Sequence, residues 1–194
     1  MARVILDISP SSDGFVAGDG ITLAEPFGDA GFRLHRWIGL DDGQPEPADH
    51  DAAARMFAEA GAVVIGRRMF EVGMAHWGED GAFERPTLVV TRYARADLPR
   101  GATTFHFHTG GVSAAIHRAR EIAGEREVIV AGGASVARQC MALGLIDEMR
   151  LHTVPVQLGH GARLLDEAVM TAWRPIRQIA TRNAMHQTYL PIAG

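Results

Sequence analysis

The chain contains no lysine. Its nineteen basic residues are all arginine, so neither a Schiff-base amine nor the lysine of a phosphate-binding P-loop is available. Cysteine occurs once, at Cys140, which excludes an internal disulfide and a cysteine-built zinc site and fits a reducing cytoplasm. Long hydrophobic runs are missing too, and the opening MARVILDISPSSDG is broken at Asp7 too early for a secretory or membrane-spanning segment. The arginines form no stripe, and the net charge is -4. That balance argues against nucleic acid or an anionic membrane as the main partner. Neither a GxSxG nucleophile elbow nor a GxGxxG fingerprint is present.

What is there is a chain of 194 residues, 47% hydrophobic, enough to bury one core and expected to form one domain. Short β-branched runs alternate with segments of helical period. Strands are expected at 3–8, 62–66, 87–91, 103–107, 127–131 and 148–156, and helices at 50–60, 67–73, 112–123 and 135–143. The alternation predicts an α/β fold with a mostly parallel sheet. IRQIATRNAMHQTYLPI breaks the pattern, with two strand-like arms about Arg182-Asn183, and predicts an antiparallel hairpin at one sheet edge. LDDGQPEPAD, residues 40–49, reads as a mobile surface loop.

Ligands of open α/β sheets bind beyond the carboxyl ends of the strands, and three such ends stand out. In VVIGRRMFE, Gly66 closes a strand while Arg67 and Arg68 open a helix, where two cations are unfavourable unless an anion is present. In TLVVTRY, Thr91 and Arg92 offer a hydroxyl and a guanidinium, which suit the 2′-phosphate of NADP better than the free ribose of NAD. In VIVAGGASVARQ, Gly132 and Gly133 let backbone approach a pyrophosphate, and the N–H groups of Ala134, Ser135 and Val136 would meet it. The plainer reading of that turn is a tight corner capped by Ser135. Taken together the three ends favour a nucleotide.

DISPSSDGFVAG, VVIGRRMFE and VIVAGGASVARQCMALGLIDEMRLHTVPVQLGHGARLLD resemble the dihydrofolate reductase-like superfamily. Within it they are most similar to the reductase domain at the C-terminus of the bacterial bifunctional deaminase-reductase of riboflavin synthesis, including its stand-alone relatives. The resemblance covers most of the chain and implies a three-layer α/β/α sandwich around a mixed sheet, mostly parallel with the C-terminal antiparallel edge hairpin. It also implies NADPH as cofactor and often a homodimer, and a Gly-Gly peptide that is often cis. Ser9, Ala17 and Gly18 then border the nicotinamide, with Gly66 to Arg68, Thr91-Arg92 and Gly132 to Val136 holding the phosphates and adenosine half. The H-x-E and P-C-x-x-C signature of a zinc deaminase is missing, so only the reductase half is represented. The implied activity is NADPH-dependent reduction of a small cytoplasmic substrate, of which 5-amino-6-(5-phosphoribosylamino)uracil is the family's best-known case. Dihydrofolate, another pterin or a carbonyl compound are alternatives, as is a nucleotide-binding protein without turnover.

On the substrate side the residues say less, because hydride transfer asks the protein mainly for position and a dry site. Trp37 and His35, Asp49 or Asp51, and His76-Trp77 are the candidates, with Asp51 and Trp77 the only catalytic ones. Asp51 reads more readily as a first-turn acid complementing a helix dipole than as a catalytic group, and Asp13 as a turn residue. His106 and His108 share a strand face, but no third metal ligand is evident, so no metal is expected. Cys140 reads as core.

Overall fold

The computed structural model describes residues 1–192, except for the side chain of Phe57. Nine strands, β1 Val4–Ile8, β2 Ala60–Gly66, β3 Pro86–Val90, β4 Leu98–Arg100, β5 Thr103–His108, β6 Glu127–Gly132, β7 Glu148–Thr153, β8 Trp173–Ala180 and β9 Met185–Pro191, form one sheet in the order β4-β5-β3-β2-β6-β1-β7-β9-β8. Among the described residues five α-helices accompany them: α1 Pro47–Ala58, α2 Arg67–Gly73, α3 Gly111–Ala123, α4 Ala134–Ala142 and α5 Glu167–Met170. A 3-10 helix spans Gly31–Ile38. The strands from β5 to β1 pair in parallel, whereas β4 and the β8–β9 hairpin are antiparallel to their neighbours. The mostly parallel sheet with a C-terminal edge hairpin is therefore the observed fold.

By contacts the chain falls into two compact units, Met1–Leu6 with Phe57–Ile146 and Asp7–Met56 with Asp147–Gly194. In the first, β2 and β3 are buried on both faces, which is why they read as unbroken apolar runs. Val63, Ile65, Phe70, Phe83, Val89 and Phe105 form one cluster of its core. Helix α3 turns Val112, Ala115, Ile116, Ala119 and Ala123 inward, the i, i+3, i+4 spacing of a helical stripe. In the second unit Leu34, Trp37, Val154, Val156 and Ala184 pack together. The 3-10 helix buries Gly31, Leu34 and Trp37, a spacing of three that stacks side chains on one side of a three-residue turn.

Two expectations need correction. Residues 40–49 are not all loop, because α1 begins at Pro47, and Asp49 is fully buried. The stretch before it is tied down: Glu46 Oε1 accepts from Arg182 Nε at 2.6 Å, and the Gln44 carbonyl accepts from Asn183 Nδ2 at 2.8 Å. The second concerns Ser135, which is no cap: Gly133 is the N-cap residue of α4 and no side chain bonds there. Strand β4 went unread because three residues with a central proline carry almost no strand signal and fit only a sheet edge.

Candidate functional site

The first unit brings the three strand ends into one row. Gly66 pairs in register with Val90, Val90 with His108, and Ile65 with Gly132, so β2, β3, β5 and β6 all finish at the same side of the sheet. Gly66 lies against the α4 start, since a methyl group at its Cα would come within 3.3 Å of Val136 Cγ2 and 3.5 Å of the Gly133 nitrogen. At Gly133 the same position meets nothing within 4 Å, so the backbone there is open to a ligand. The Gly132-Gly133 peptide is cis. The N–H groups of Ala134 and Ser135 have no acceptor within the helix, as at every helix start. Val136 does not join them, because its N–H donates to the Gly133 carbonyl at 3.0 Å.

The arginines differ from one another. Arg67 is held by Glu71 at 2.6 Å and lies over the Tyr93 ring, 5.4 Å from its centroid, which joins the GRR turn to the segment after β3. Arg68 and Arg92 are exposed. Among the described residues no carboxylate pairs with either, so both are available to an anion. Thr91 is buried, its hydroxyl accepting from the Tyr93 N–H at 3.1 Å. Behind this row Trp77 packs flat on Phe105 at 5.9 Å and edge-on to Phe83, a position inside the apolar cluster. Cys140 is buried in α4, and burial pushes its thiol up to about 12; it is a core residue. His106 bonds Asp97 at 2.7 Å, and among the described residues no cluster of three or more His, Cys, Asp or Glu could hold a metal.

The second unit holds Ser9, Ala17 and Gly18. Val16 and Ala17 pair with Ala162, and the Asp13 carboxylate accepts from Ser11, Leu158 and Gly159. Burial alone would raise Asp13, but those donors outweigh it and hold its carboxyl below the usual range. Ser9 Oγ accepts from Trp37 Nε1 at 2.9 Å, so Trp37 is a buried wall of the β1 end rather than an open surface. His35 lies tilted against Phe27, the ring centroids 4.0 Å apart, and burial lowers it to about 4, leaving it neutral. His76 is exposed.

One feature of this unit is absent from the sequence reading. Asp7, His152, His186 and Asp49, all buried, form a single hydrogen-bonded chain: Asp7 Oδ1 to His152 Nε2 at 2.9 Å, His152 Nδ1 to His186 Nδ1 at 2.7 Å, and His186 Nε2 to Asp49 Oδ1 at 2.7 Å. His152 and His186 are directly paired across β7 and β9, and Trp37 stacks on His152 at 4.2 Å. Asp49 also accepts from the Glu46 N–H, the Thr181 hydroxyl and Asn183 Nδ2. Burial would raise Asp49, yet these donors hold it below its ordinary value. His186 is lowered, by burial first and also by the charge of His152, against the pull of Asp49. Asp51 is exposed and lines, with Arg55, Arg177, His152 and His186, a cavity of about 80 Å³ beneath α1. Only the register of β7 on β9 brings the two histidines together, and nothing in RLHT or AMHQT separately signals it.

No described helix is long and apolar enough to cross a membrane. A search of the curated proteins finds no match. Among solved structures, a candidate riboflavin biosynthesis protein from Shewanella sp. PV-4 is similar over 100% of both chains at 20% identity, with a TM-score of 0.71. Dihydrofolate reductase from Enterococcus faecalis, complexed with NADP(H) and RAB-propyl, is similar over 97% of this chain and 96% of its own, at 13% identity and a TM-score of 0.60. These likenesses establish a dihydrofolate reductase-like fold. The RibD C-terminal domain profile matches residues 2–187, nearly the whole chain, and the protein therefore belongs to the RibD C-terminal domain family.

Proposed function

We propose that this protein is a cytoplasmic NADPH-dependent reductase of a small substrate, acting as a homodimer. The observation that carries the reading is the row of strand ends in the first unit: the open backbone of Gly133 and the cations Arg68 and Arg92, which no carboxylate among the described residues engages, lie at one side of the sheet. Backbone N–H groups at a helix start and free guanidiniums are what a dinucleotide phosphate needs. The family membership and the NADP(H) complex of the Enterococcus faecalis enzyme support the same cofactor. When bound, NADPH supplies hydride chemistry. The residues that would hold its phosphates are Gly132 to Ser135, Arg68 and Arg92, and by the family resemblance Ser9, Ala17 and Gly18 would border its nicotinamide.

For the substrate, the saturation of Asp49 by four donors leaves no free lone pair aimed at a pterin and weighs against a folate-type activity. A pyrimidine such as 5-amino-6-(5-phosphoribosylamino)uracil heads the panel, with pterins and carbonyl compounds behind it. The test is calorimetric titration with NADPH and NADH in parallel. NADPH binding well above NADH is expected, and Arg68→Ala or Arg92→Ala should each weaken NADPH by about 10- to 100-fold, the loss of a charge-assisted bond. Equal affinity of wild type and both variants would remove the phosphate assignment.

A further inference from the structure

The chain Asp7–His152–His186–Asp49 sets a proton count. Three hydrogen bonds link its four groups, and each needs one proton. Ionised carboxylates bring none, and two neutral imidazoles bring two. With those two protons on the Nε2 atoms facing Asp7 and Asp49, the two Nδ1 atoms would meet lone pair to lone pair at 2.7 Å, which is repulsive. A third proton resolves the contact. His186, neutral, then donates to Asp49 and accepts from His152, while His152 is an imidazolium donating to both His186 and Asp7.

We propose that this chain stores one proton beyond what neutral imidazoles supply, and that it serves as the proton source for reduction at the carboxyl end of β1. This use rests on the reductase reading above. Two features fit a relay rather than a sealed salt bridge. Asp7 Oδ2 is buried and accepts no hydrogen bond from the described residues, so the chain has an open valence two residues before Ser9. At the other side, His152 and His186 line the cavity beneath α1, a route for solvent.

The charged groups around the pair are Asp7 from β1, Asp49, Asp51 and Arg55 from α1, Glu148 and Arg150 from β7, and Arg177 from β8. Glu148 is engaged by Arg150 at 2.7 Å and Arg55 at 3.6 Å. The two aspartates are thus the anions bonded to the imidazoles. In the step, a proton passes from His152 Nε2 to Asp7 and on to the oxygen or nitrogen of the bond being reduced, whose carbon takes the hydride. Solvent in the cavity then returns one proton to the imidazoles.

The first test is nitrogen-15 NMR of histidine-labelled protein at pH 7, without cofactor. Three protonated ring nitrogens among the four of His152 and His186, with one proton shared between the Nδ1 atoms, are expected; two protonated nitrogens would overturn the proposal whatever the activity. The second uses His186→Gln with the substrate that the panel identifies. kcat should fall about 100-fold, of the order of a lost acid-base contribution, with NADPH affinity and KM nearly unchanged and the alkaline limb of the pH profile, where a required proton is lost, displaced. An unchanged kcat, or a fall with the profile undisplaced, would overturn the proton-source role. If wild type binds no NADPH, the reductase reading fails and takes the proton's use with it, while the NMR result still decides whether the proton is stored.

Discussion

Burial decides what the histidines of the second unit can do. His35 keeps its ring against Phe27 and titrates at about 4 instead of 6.5. A lowered folded value means that the unfolded chain takes up the proton first. The stabilising effect is therefore complete above about pH 6.5 and is lost as pH falls from 6.5 towards 4. His186 is lowered as well and adds loss of the same sign. Replacing His35 by Leu should flatten the stability profile in that window by up to about 1.4 kcal/mol per pH unit, measured by urea unfolding between pH 4 and 7. Asp49 carries more weight, being fully buried and accepting four hydrogen bonds. Asp49→Ala leaves His186, Thr181 and Asn183 without their acceptor and should cost about 3–5 kcal/mol. The sequence alone makes it a candidate substrate ligand, because sequence says nothing of how many donors surround a carboxylate. Trp37 and Trp77 illustrate the same limit, since an aromatic in a polar sequence reads alike whether it packs or stacks on a ligand.

Elements show how a loop near a site is held. The stretch 14–18 is paired to 161–165: Val16 donates to Ala162, Ala162 to Ala17, and Leu164 to Gly14. Gly161 has φ +123°, and a side chain there would run into the Ala17 carbonyl. Gly161→Ala should therefore cost about 1–3 kcal/mol in strain and loosen Ala17 and Gly18. Urea unfolding gives the first effect, and a weaker NADPH titration the second. The regular elements were legible because each has its own period: buried parallel strands as apolar runs, α3 as a stripe of five inward residues, the hairpin as paired arms about Arg182-Asn183. The 3-10 helix and β4 were less so, since a three-residue spacing and a proline-centred edge strand depend on what lies beside them.

At the scale of the whole molecule the sheet ends in β8, a strand exposed along nearly its entire length, with Ile176 48% exposed. An edge strand of eight residues invites pairing, and Pro175, the arginines Arg174 and Arg177 and the register shift between Pro175 and Arg177 restrict which strands can add to it. In the homodimer proposed above a second copy would add to this edge, two identical strands pairing antiparallel about a two-fold axis. Sedimentation should show a dimer, and Ile176→Lys, which sets a charge on that edge, should shift it towards monomer without unfolding. A wild-type monomer at tens of micromolar would refute this use of β8.

The sequence by itself determined the layout. Hydrophobic period marked strands and helices, the glycine pair and the arginines marked the strand ends, and the lack of lysine and paired cysteines removed whole chemistries. It could do so because each of those signals is local, carried by residues within a few positions of one another. The tertiary structure alone decided which arginines no described carboxylate engages, which tryptophans are walls, and that Asp7, His152, His186 and Asp49 touch. Those facts depend on strand register and on residues up to 145 positions apart in the chain, and no local pattern encodes a distance between side chains that meet only when the sheet is assembled.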